Sequence, residues 1–283
     1  MTIKSATRWL APLLLCWAGL AQGEVIQKTV EEGVTATAEY RVGDPSKPAM
    51  LVLHGFLQTR DFSTVRRLAD ALYDWNYTVL APTLSLGIDT RARSLPCEAI
   101  QTHTMEDAVE EVRMWVEWLA AQGHDRIILV GHSSGSATHV AYLADNPHTA
   151  VKEAILISLV AFGPGKLSYE TEAHAEAARS VLEDGNDALG EYALAFCRTY
   201  PATAQNFLSY YDWSRPRVAE ALSKLHVPAH ILVGSNDQRM TAEWVDAMRA
   251  AHGDVIVIEG ANHFFDDAHE FDLLDEFERL LGS

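Results

Sequence analysis

The ten residues Arg126-Ile127-Ile128-Leu129-Val130-Gly131-His132-Ser133-Ser134-Gly135 constrain this chain more than any others. An apolar run of strand length stops at Gly131, and after Gly135 the pattern turns helical through residues 136–145. A serine between two glycines at a strand-to-helix junction fits the G-x-S-x-G turn, which is so sharp that bulky neighbours would clash. Gly131 and Gly135 keep space around the backbone, and Ser133 projects its hydroxyl. Gly and Ser crowd into ordinary turns, so the five residues carry weight through the buried-type strand before them and the helix after them. A serine held in this way calls for an acid, a base and an oxyanion pocket elsewhere in the chain.

The surrounding pattern places that turn in a parallel sheet. Residues 25–30 and 34–42 are β-rich runs separated by Glu31-Glu32-Gly33, as in an opening hairpin. Residues 50–53 form a short, continuously apolar run, expected of a strand covered on both faces, and end in His54-Gly55-Phe56. Asp61 is placed to cap a helix with Phe62, Val65, Leu68, Leu72 and Trp75 at helical spacing. Residues 77–80 are the next strand, stopped by Pro82, and residues 83–103 form a long connection of the functional or covering kind. Thr104 with Asp107 resembles a capping box, opening a helix that carries Val109, Val112, Val116 and Leu119 to one side and ends at Gly123.

Residues 154–159 are a further strand. Alternation then lapses until about Pro228, with helix-compatible stretches at 169–183, 187–199 and 202–211. It resumes with a strand at 230–233, a helix at 241–250, a strand at 255–258 and a helix at 270–281. Strands alternating with helices mean a parallel sheet wrapped on both faces. The expectation is one α/β domain over residues 24–283, with a helical cap inserted at about 163–225.

Lys4 and Arg8 precede an apolar run at 9–21, with Gly19, Ala21 and Gly23 as small residues for cleavage. Residues 1–23 are therefore expected to be a secretory signal peptide, too short for a comfortable membrane span. No later stretch is apolar and long enough to cross a bilayer, so no stable span is expected after cleavage. The net charge is −17, and losing Lys4 and Arg8 with the leader takes it to about −19. Such a surface repels nucleic acid and anionic lipid, so neither is an expected partner. Cys97 and Cys197 remain after processing; in an oxidising compartment they either form a bridge or stand as two separate buried thiols. There is no C-x-x-C spacing and no clustered His/Cys array, and no metal or cofactor is expected.

In an open parallel sheet, ligands sit beyond the carboxyl ends of the strands, so each chemical group should stand just after a strand. Ser134 follows the nucleophile candidate at a helix start, where a free amide and the positive helix end can stabilise an oxyanion. The second amide is expected from Phe56, with Gly55 letting the backbone approach closely. Asp237, in Gly234-Ser235-Asn236-Asp237, is the carboxylate after the strand ending at Val233, while the loop after Leu159 has none. Of the twelve histidines, His263 alone falls in the loop after the last strand, and an imidazole is the base a serine nucleophile needs. His132 is expected to pack beside the strand and His54 to brace the oxyanion loop. His139, His148, His174, His252 and His269 lie on helices or at their ends and are expected to be solvated.

The chain order Ser133, Asp237, His263, together with Gly131-His132-Ser133-Ser134-Gly135 and His54-Gly55-Phe56, resembles the α/β-hydrolase superfamily over roughly residues 48–281, apart from the insertion. The resemblance implies the α/β-hydrolase fold, a mainly parallel eight-stranded sheet with helices on both faces. It implies Ser133 as nucleophile, Asp237 as acid, His263 as base, and the Phe56 and Ser134 amides as oxyanion hole. A serine at the elbow is unlike the haloalkane dehalogenases and dienelactone hydrolases, and H-G-F is unlike the H-G-G-G of hormone-sensitive-lipase-type esterases. The implied activity is acyl transfer to water by an exported, periplasmic or secreted, serine hydrolase acting on a small-molecule carboxylic ester or thioester. A peptidase or amidase on the same triad is the alternative within enzymes, although no acidic clamp for a substrate amine stands out. A catalytically silent member acting as a binding protein is the alternative outside them. Phe207, Tyr210, Tyr211 and Trp213 in the insertion either meet an apolar acyl group or pack the cap.

Overall fold

The computed structural model of the chain describes residues 23–164 and 171–282. The expected signal peptide lies, but for its last residue, outside the described residues. Two strands, β1 (Glu24–Glu31) and β2 (Val34–Arg41), open the described chain as an antiparallel pair. Strand and helix then alternate through β3 (Ala49–Leu53), α1 (Ser63–Asp74), β4 (Thr78–Thr83), α2 (Met105–Ala121), β5 (Ile127–His132), α3 (Ser134–Ala144) and β6 (Val151–Ile157). An insertion follows with α4 (Thr171–Glu183), β7 (Leu189–Leu194), β8 (Cys197–Thr203), α5 (Ala204–Tyr211) and α6 (Arg215–Ser223). Alternation closes with β9 (Ala229–Gly234), α7 (Ala242–His252), β10 (Val255–Ile258) and α8 (His269–Leu281).

Eight of these strands form one sheet in the order β1-β2-β4-β3-β5-β6-β9-β10, and β7 and β8 form a separate two-stranded sheet. β2 runs antiparallel to both neighbours, and every pairing from β4 to β10 is parallel. After β3 the chain first adds β4 on one side, then returns to place β5 on the other. That reversal makes the crevice between β3 and β5 the topological switch point of the sheet, where an α/β fold gathers its ligands. The pleat sorts the apolar runs onto two cores. Met50 and Val52 join Leu68, Leu72, Leu273 and Phe277 from α1 and α8, while Leu51 and Leu53 join Val112, Trp115, Val140 and Trp244 from α2, α3 and α7. Continuous apolar strands are thus the mark of burial on both faces.

Local signals decide the helix ends in one case and fail in another. The capping box at α2 is complete: the Asp107 amide donates to Thr104 Oγ1 at 3.1 Å and the Thr104 amide to Asp107 Oδ2 at 2.8 Å. Asp61 does not cap α1; the N-cap is Phe62, with no side-chain bond, and Asp61 instead stands 3.5 Å from Arg66 Nη1. The expected helix at 187–199 is a correction of larger consequence, because that stretch is the β7–β8 hairpin. Gly190 weakens a helix there, and pairing offers the segment partners that a helix would forgo. Tyr192 stacks on Phe207 with centroids 4.5 Å apart, and the Gln101 amide donates to Pro201 O at 2.8 Å.

A disulfide between Cys97 and Cys197, 100 residues apart in sequence, joins the long connection before α2 to the start of β8. His139, expected in solvent, is fully buried on α3, with its Nε2 3.2 Å from Val130 O. The cause is topological: α3 follows the central strand and is covered on all sides, so every residue from Ser134 to Leu143 is buried.

Candidate active site

Three loops at the carboxyl edge of the sheet converge. The β5–α3 turn carries Ser133 at φ +58° and ψ −119°, a backbone conformation that costs a non-glycine residue about 1–3 kcal/mol. The surroundings hold it there: the Ser133 amide donates to Ile157 O at 2.8 Å, and Ser136 Oγ donates to Gly131 O at 2.7 Å. A Cβ on Gly135 would stand 2.5 Å from His54 O, so only glycine lets the elbow press against the loop after β3. The loops after β9 and β10 are stitched together, with Asn236 donating to Ala261 O from its amide and to Gly260 O from its side chain, each at 2.9 Å. That stitching brings Asp237 against His263.

His263 Nδ1 lies 2.5 Å from Asp237 Oδ2, and His263 Nε2 lies 2.9 Å from Ser133 Oγ. Asp237 is buried, and burial alone would raise its carboxyl. The hydrogen bond and charge of His263, with the backbone amide and guanidinium of Arg239, outweigh burial and hold the carboxyl below its usual range. An ionised carboxylate only accepts, so Nδ1 of His263 donates to it and Nε2 is left to accept from the Ser133 hydroxyl. The sequence-derived acid, base and nucleophile thus stand in one hydrogen-bonded row. Such a row can draw the proton from Ser133 as its oxygen attacks.

The His263 carbonyl is itself pinned, accepting from Ser158 Oγ at 3.1 Å and from His132 Nε2 at 2.9 Å. Burial, reinforced by the charge of neighbouring His263, pushes His132 down to about 3, so it stays neutral and donates through Nε2. His132, the variable residue of the elbow, therefore holds the His263 loop in position.

The loop His54-Gly55-Phe56 faces the elbow across the β3–β5 crevice. A Cβ on Gly55 would come 3.3 Å from Ser133 Cβ, which measures how closely that backbone approaches. The Gly55 amide donates to Gln58 Oε1 at 3.1 Å, and Gln58 N to Gly55 O at 3.1 Å. The amides of Phe56 and Ser134 donate to no protein acceptor among the described residues and can receive an oxyanion. His54 braces this loop as expected: Nδ1 lies 2.8 Å from Gly55 O, and Nε2 accepts from the Leu84 amide at 3.0 Å.

A cavity of about 320 Å³ opens over Ser133 and His263. Its walls are largely aromatic, from Phe56, Phe162, Phe196, Trp244 and Phe264. Phe196, at the tip of the β7–β8 hairpin, packs edge-on to Phe56 with centroids 5.9 Å apart. Of the insertion aromatics singled out in the sequence, Phe207, Tyr210, Tyr211 and Trp213 are all buried and none lines the cavity. Tyr210 accounts for itself structurally, lying 2.7 Å from His103 Nδ1 and donating to Thr104 O at 3.1 Å.

Sequence reasoning missed several supports. Arg239 donates from its backbone amide to Asp237 Oδ1 at 3.0 Å, and its position two residues after the acid was the available signal. Arg91 is buried and donates to Gln58 O and Leu84 O, each at 2.7 Å, fixing the far side of the oxyanion loop. Nothing in a polar connecting segment marks one of its arginines for burial. Arg215, also in the cavity wall, gave no sequence signal.

A mainly parallel eight-stranded sheet with a Ser-His-Asp row at its switch point defines the class. The chain belongs to the alpha/beta hydrolase family, whose model matches residues 50–273. Among particular relatives it is similar to the bifunctional esterase/perhydrolase DCH of Acinetobacter calcoaceticus, 27% identical over 180 residues. That match takes in 53% of this chain and 63% of the relative, less than two thirds of its length. The fold is similar to that of Est1E from Butyrivibrio proteoclasticus, solved with ferulic acid bound, at 17% identity and a TM-score of 0.66 over 91% of this chain and 98% of that one. It is also similar to the alpha/beta hydrolase GrgF from Penicillium sp. sh18, at 15% identity and a TM-score of 0.67 over 92% and 99% of the two chains.

Proposed function

We propose that this chain is a serine hydrolase that cleaves a carboxylic ester or thioester through an acyl-enzyme. Ser133 Oγ attacks the carbonyl carbon while His263 Nε2 takes its proton. Asp237 holds the imidazole in the required tautomer and stabilises the imidazolium. The Phe56 and Ser134 amides receive the oxyanion, and His263 returns the proton to the leaving alcohol or thiol. Water, activated by the same imidazole, then releases the acid. The observation that carries this reading is the unbroken row from Ser133 Oγ through His263 to Asp237, at 2.9 and 2.5 Å, opening on an apolar cavity.

Ester chemistry is favoured over peptide chemistry because, among the described residues, no Asp or Glu lines the cavity to hold a substrate amine. The relative named as an esterase supports the same choice. The test is labelling by a serine-directed phosphonate probe, expected for the folded protein and lost in Ser133→Ala. A nitrophenyl ester panel of graded chain length, with thioesters and amides alongside, reads the bond class. Absence of labelling in folded protein would sink the enzyme reading in favour of a binding protein.

We also propose export to the periplasm or medium. The basic-then-apolar pattern of residues 1–23 and the pairing of Cys97 with Cys197 both support it, since disulfides persist in oxidising compartments. Mass analysis should find the exported chain beginning near Glu24, and an unprocessed cytosolic chain would refute this.

A further inference from the structure

The charges around the cavity are one-sided. Arg215 and Arg239 line it and, among the described residues, no carboxylate does, in a chain with 22 Lys and Arg against 39 Asp and Glu. The two guanidiniums differ in what already neutralises them. Arg239 Nη1 stands 3.6 Å from Asp237 Oδ1, so its charge is paired within the catalytic row. Arg215, the first residue of α6, donates from Nη1 to Thr241 Oγ1 at 3.2 Å and from Nη2 to Arg239 O at 3.3 Å. Its guanidinium carbon lies 5.7 Å from the centre of the Trp244 ring, another wall of the cavity. All three partners are neutral, and among the described residues no carboxylate stands within ion-pair distance of Arg215; exposed Glu243 on α7 is held low chiefly by its own backbone amide and the Thr241 hydroxyl, with the Arg215 charge adding to them.

A guanidinium that spends two of its five N–H groups on neutral acceptors keeps three for a carboxylate, the planar anion its geometry matches. Resting on the ester-hydrolase reading above, we propose that Arg215 binds a carboxylate carried by the substrate, making this a hydrolase of monoanionic esters. The chemical class is the half-ester of a short dicarboxylic acid, which a cavity of about 320 Å³ accommodates. The net charge of −17 opposes the approach of any anion from a distance. At physiological salt that repulsion is screened beyond about 8 Å, whereas a charge-assisted contact inside a half-enclosed cavity is not. The local pair therefore decides the preference.

The test compares mono-4-nitrophenyl glutarate with 4-nitrophenyl pentanoate, which matches it carbon for carbon in the acyl chain. In about 0.15 M salt the wild-type protein should favour the anionic ester in kcat/KM by about tenfold or more, the range of one charge-assisted hydrogen bond. Arg215→Gln should lose most of that ratio, chiefly through KM, and Arg215→Lys, which keeps the charge without the fork, should fall between. Free glutarate should inhibit the wild type competitively, and glutaramide should not. If Arg215→Gln does not fold, the wild-type ratio and the glutarate inhibition still decide. Preference for the neutral ester in a protein that the phosphonate probe labels would overturn this proposal and leave the hydrolase reading standing. Equal loss on both esters in Arg215→Gln would likewise overturn it, assigning the arginine a structural role. Failure of both labelling and ester hydrolysis would instead sink the reading beneath it.

Discussion

Phe56 does two separable things at the site. Its backbone amide donates to no protein acceptor among the described residues, and its ring packs among Phe162, Phe196, Tyr200 and Tyr210, with centroids 5.3 to 5.9 Å away. Losing one oxyanion donor typically costs roughly 3–4 kcal/mol of transition-state stabilisation, whereas an aromatic edge contact is worth roughly 0.5–1.5 kcal/mol. Phe56→Leu keeps the amide and loses the edges, so kcat should fall by about tenfold or less. Ser133→Ala removes the proposed nucleophile and should lower kcat by on the order of 10⁶-fold, the scale seen when a triad serine is removed. Side-by-side kcat measurements on one nitrophenyl ester decide between the two roles. Losses of equal size would mean that the Phe56 side chain, not its amide, is what the reaction needs.

The β7–β8 hairpin is the element that shapes the cavity, and it is held from two directions. Its tip presents Phe196 to the cavity, and its second strand is tied at Cys197 to Cys97 in the connection before α2. A crosslink spanning 100 residues restricts the unfolded chain more than a short one does, by roughly 4–5 kcal/mol in the chain-entropy treatment. Reduction, or Cys97→Ser, should therefore lower the unfolding free energy by about 2–5 kcal/mol, read as a fall in urea midpoint. A midpoint unmoved by reductant would mean that the bridge constrains neither state. The hairpin is also where sequence reasoning ran out. Strands β3, β5, β6 and β9 were legible because each is an apolar run buried on both faces, and Ser133, Asp237 and His263 were legible because each follows one of the sheet's strands. Residues 187–199 carry no such period. Their strands are held by a disulfide to Cys97 and by Tyr192 stacking on Phe207, contacts with residues outside the segment. His139 was misread for the same reason, since burial of the whole of α3 is decided by what packs around it. Arg215 became meaningful only once the start of α6 was brought to the cavity.

At the scale of the whole molecule, the folded chain buries four imidazoles in the neutral form. Burial pushes His54, His103 and His132 down to about 3 and His139 to about 4, with the Arg91 charge adding to the effect on His54 and His103. The unfolded chain protonates these four near the ordinary value of 6.5, so the stability they contribute is complete above that pH and is lost as pH falls toward 4. Glu111 works in the opposite sense. Burial lifts it to about 7 against its hydrogen bonds from Ser85, so its contribution is complete below 4.5 and is lost as pH rises through 7. Four groups outweigh one. Near pH 5.5 these five groups together bind about three more protons in the unfolded chain than in the folded one, a slope on the order of 4 kcal/mol per pH unit from them. Against a total stability of roughly 5–15 kcal/mol, that slope predicts cooperative acid unfolding between about pH 4 and 5. Urea midpoints at about pH 7 and 5.5 should differ sharply, with the lower value at the lower pH. Glu111→Gln removes the opposing titration, so the fall in midpoint between those two pH values should steepen by about one proton's worth. A wild-type midpoint that holds level or rises on acidification would mean that these imidazoles already take up protons in the folded protein.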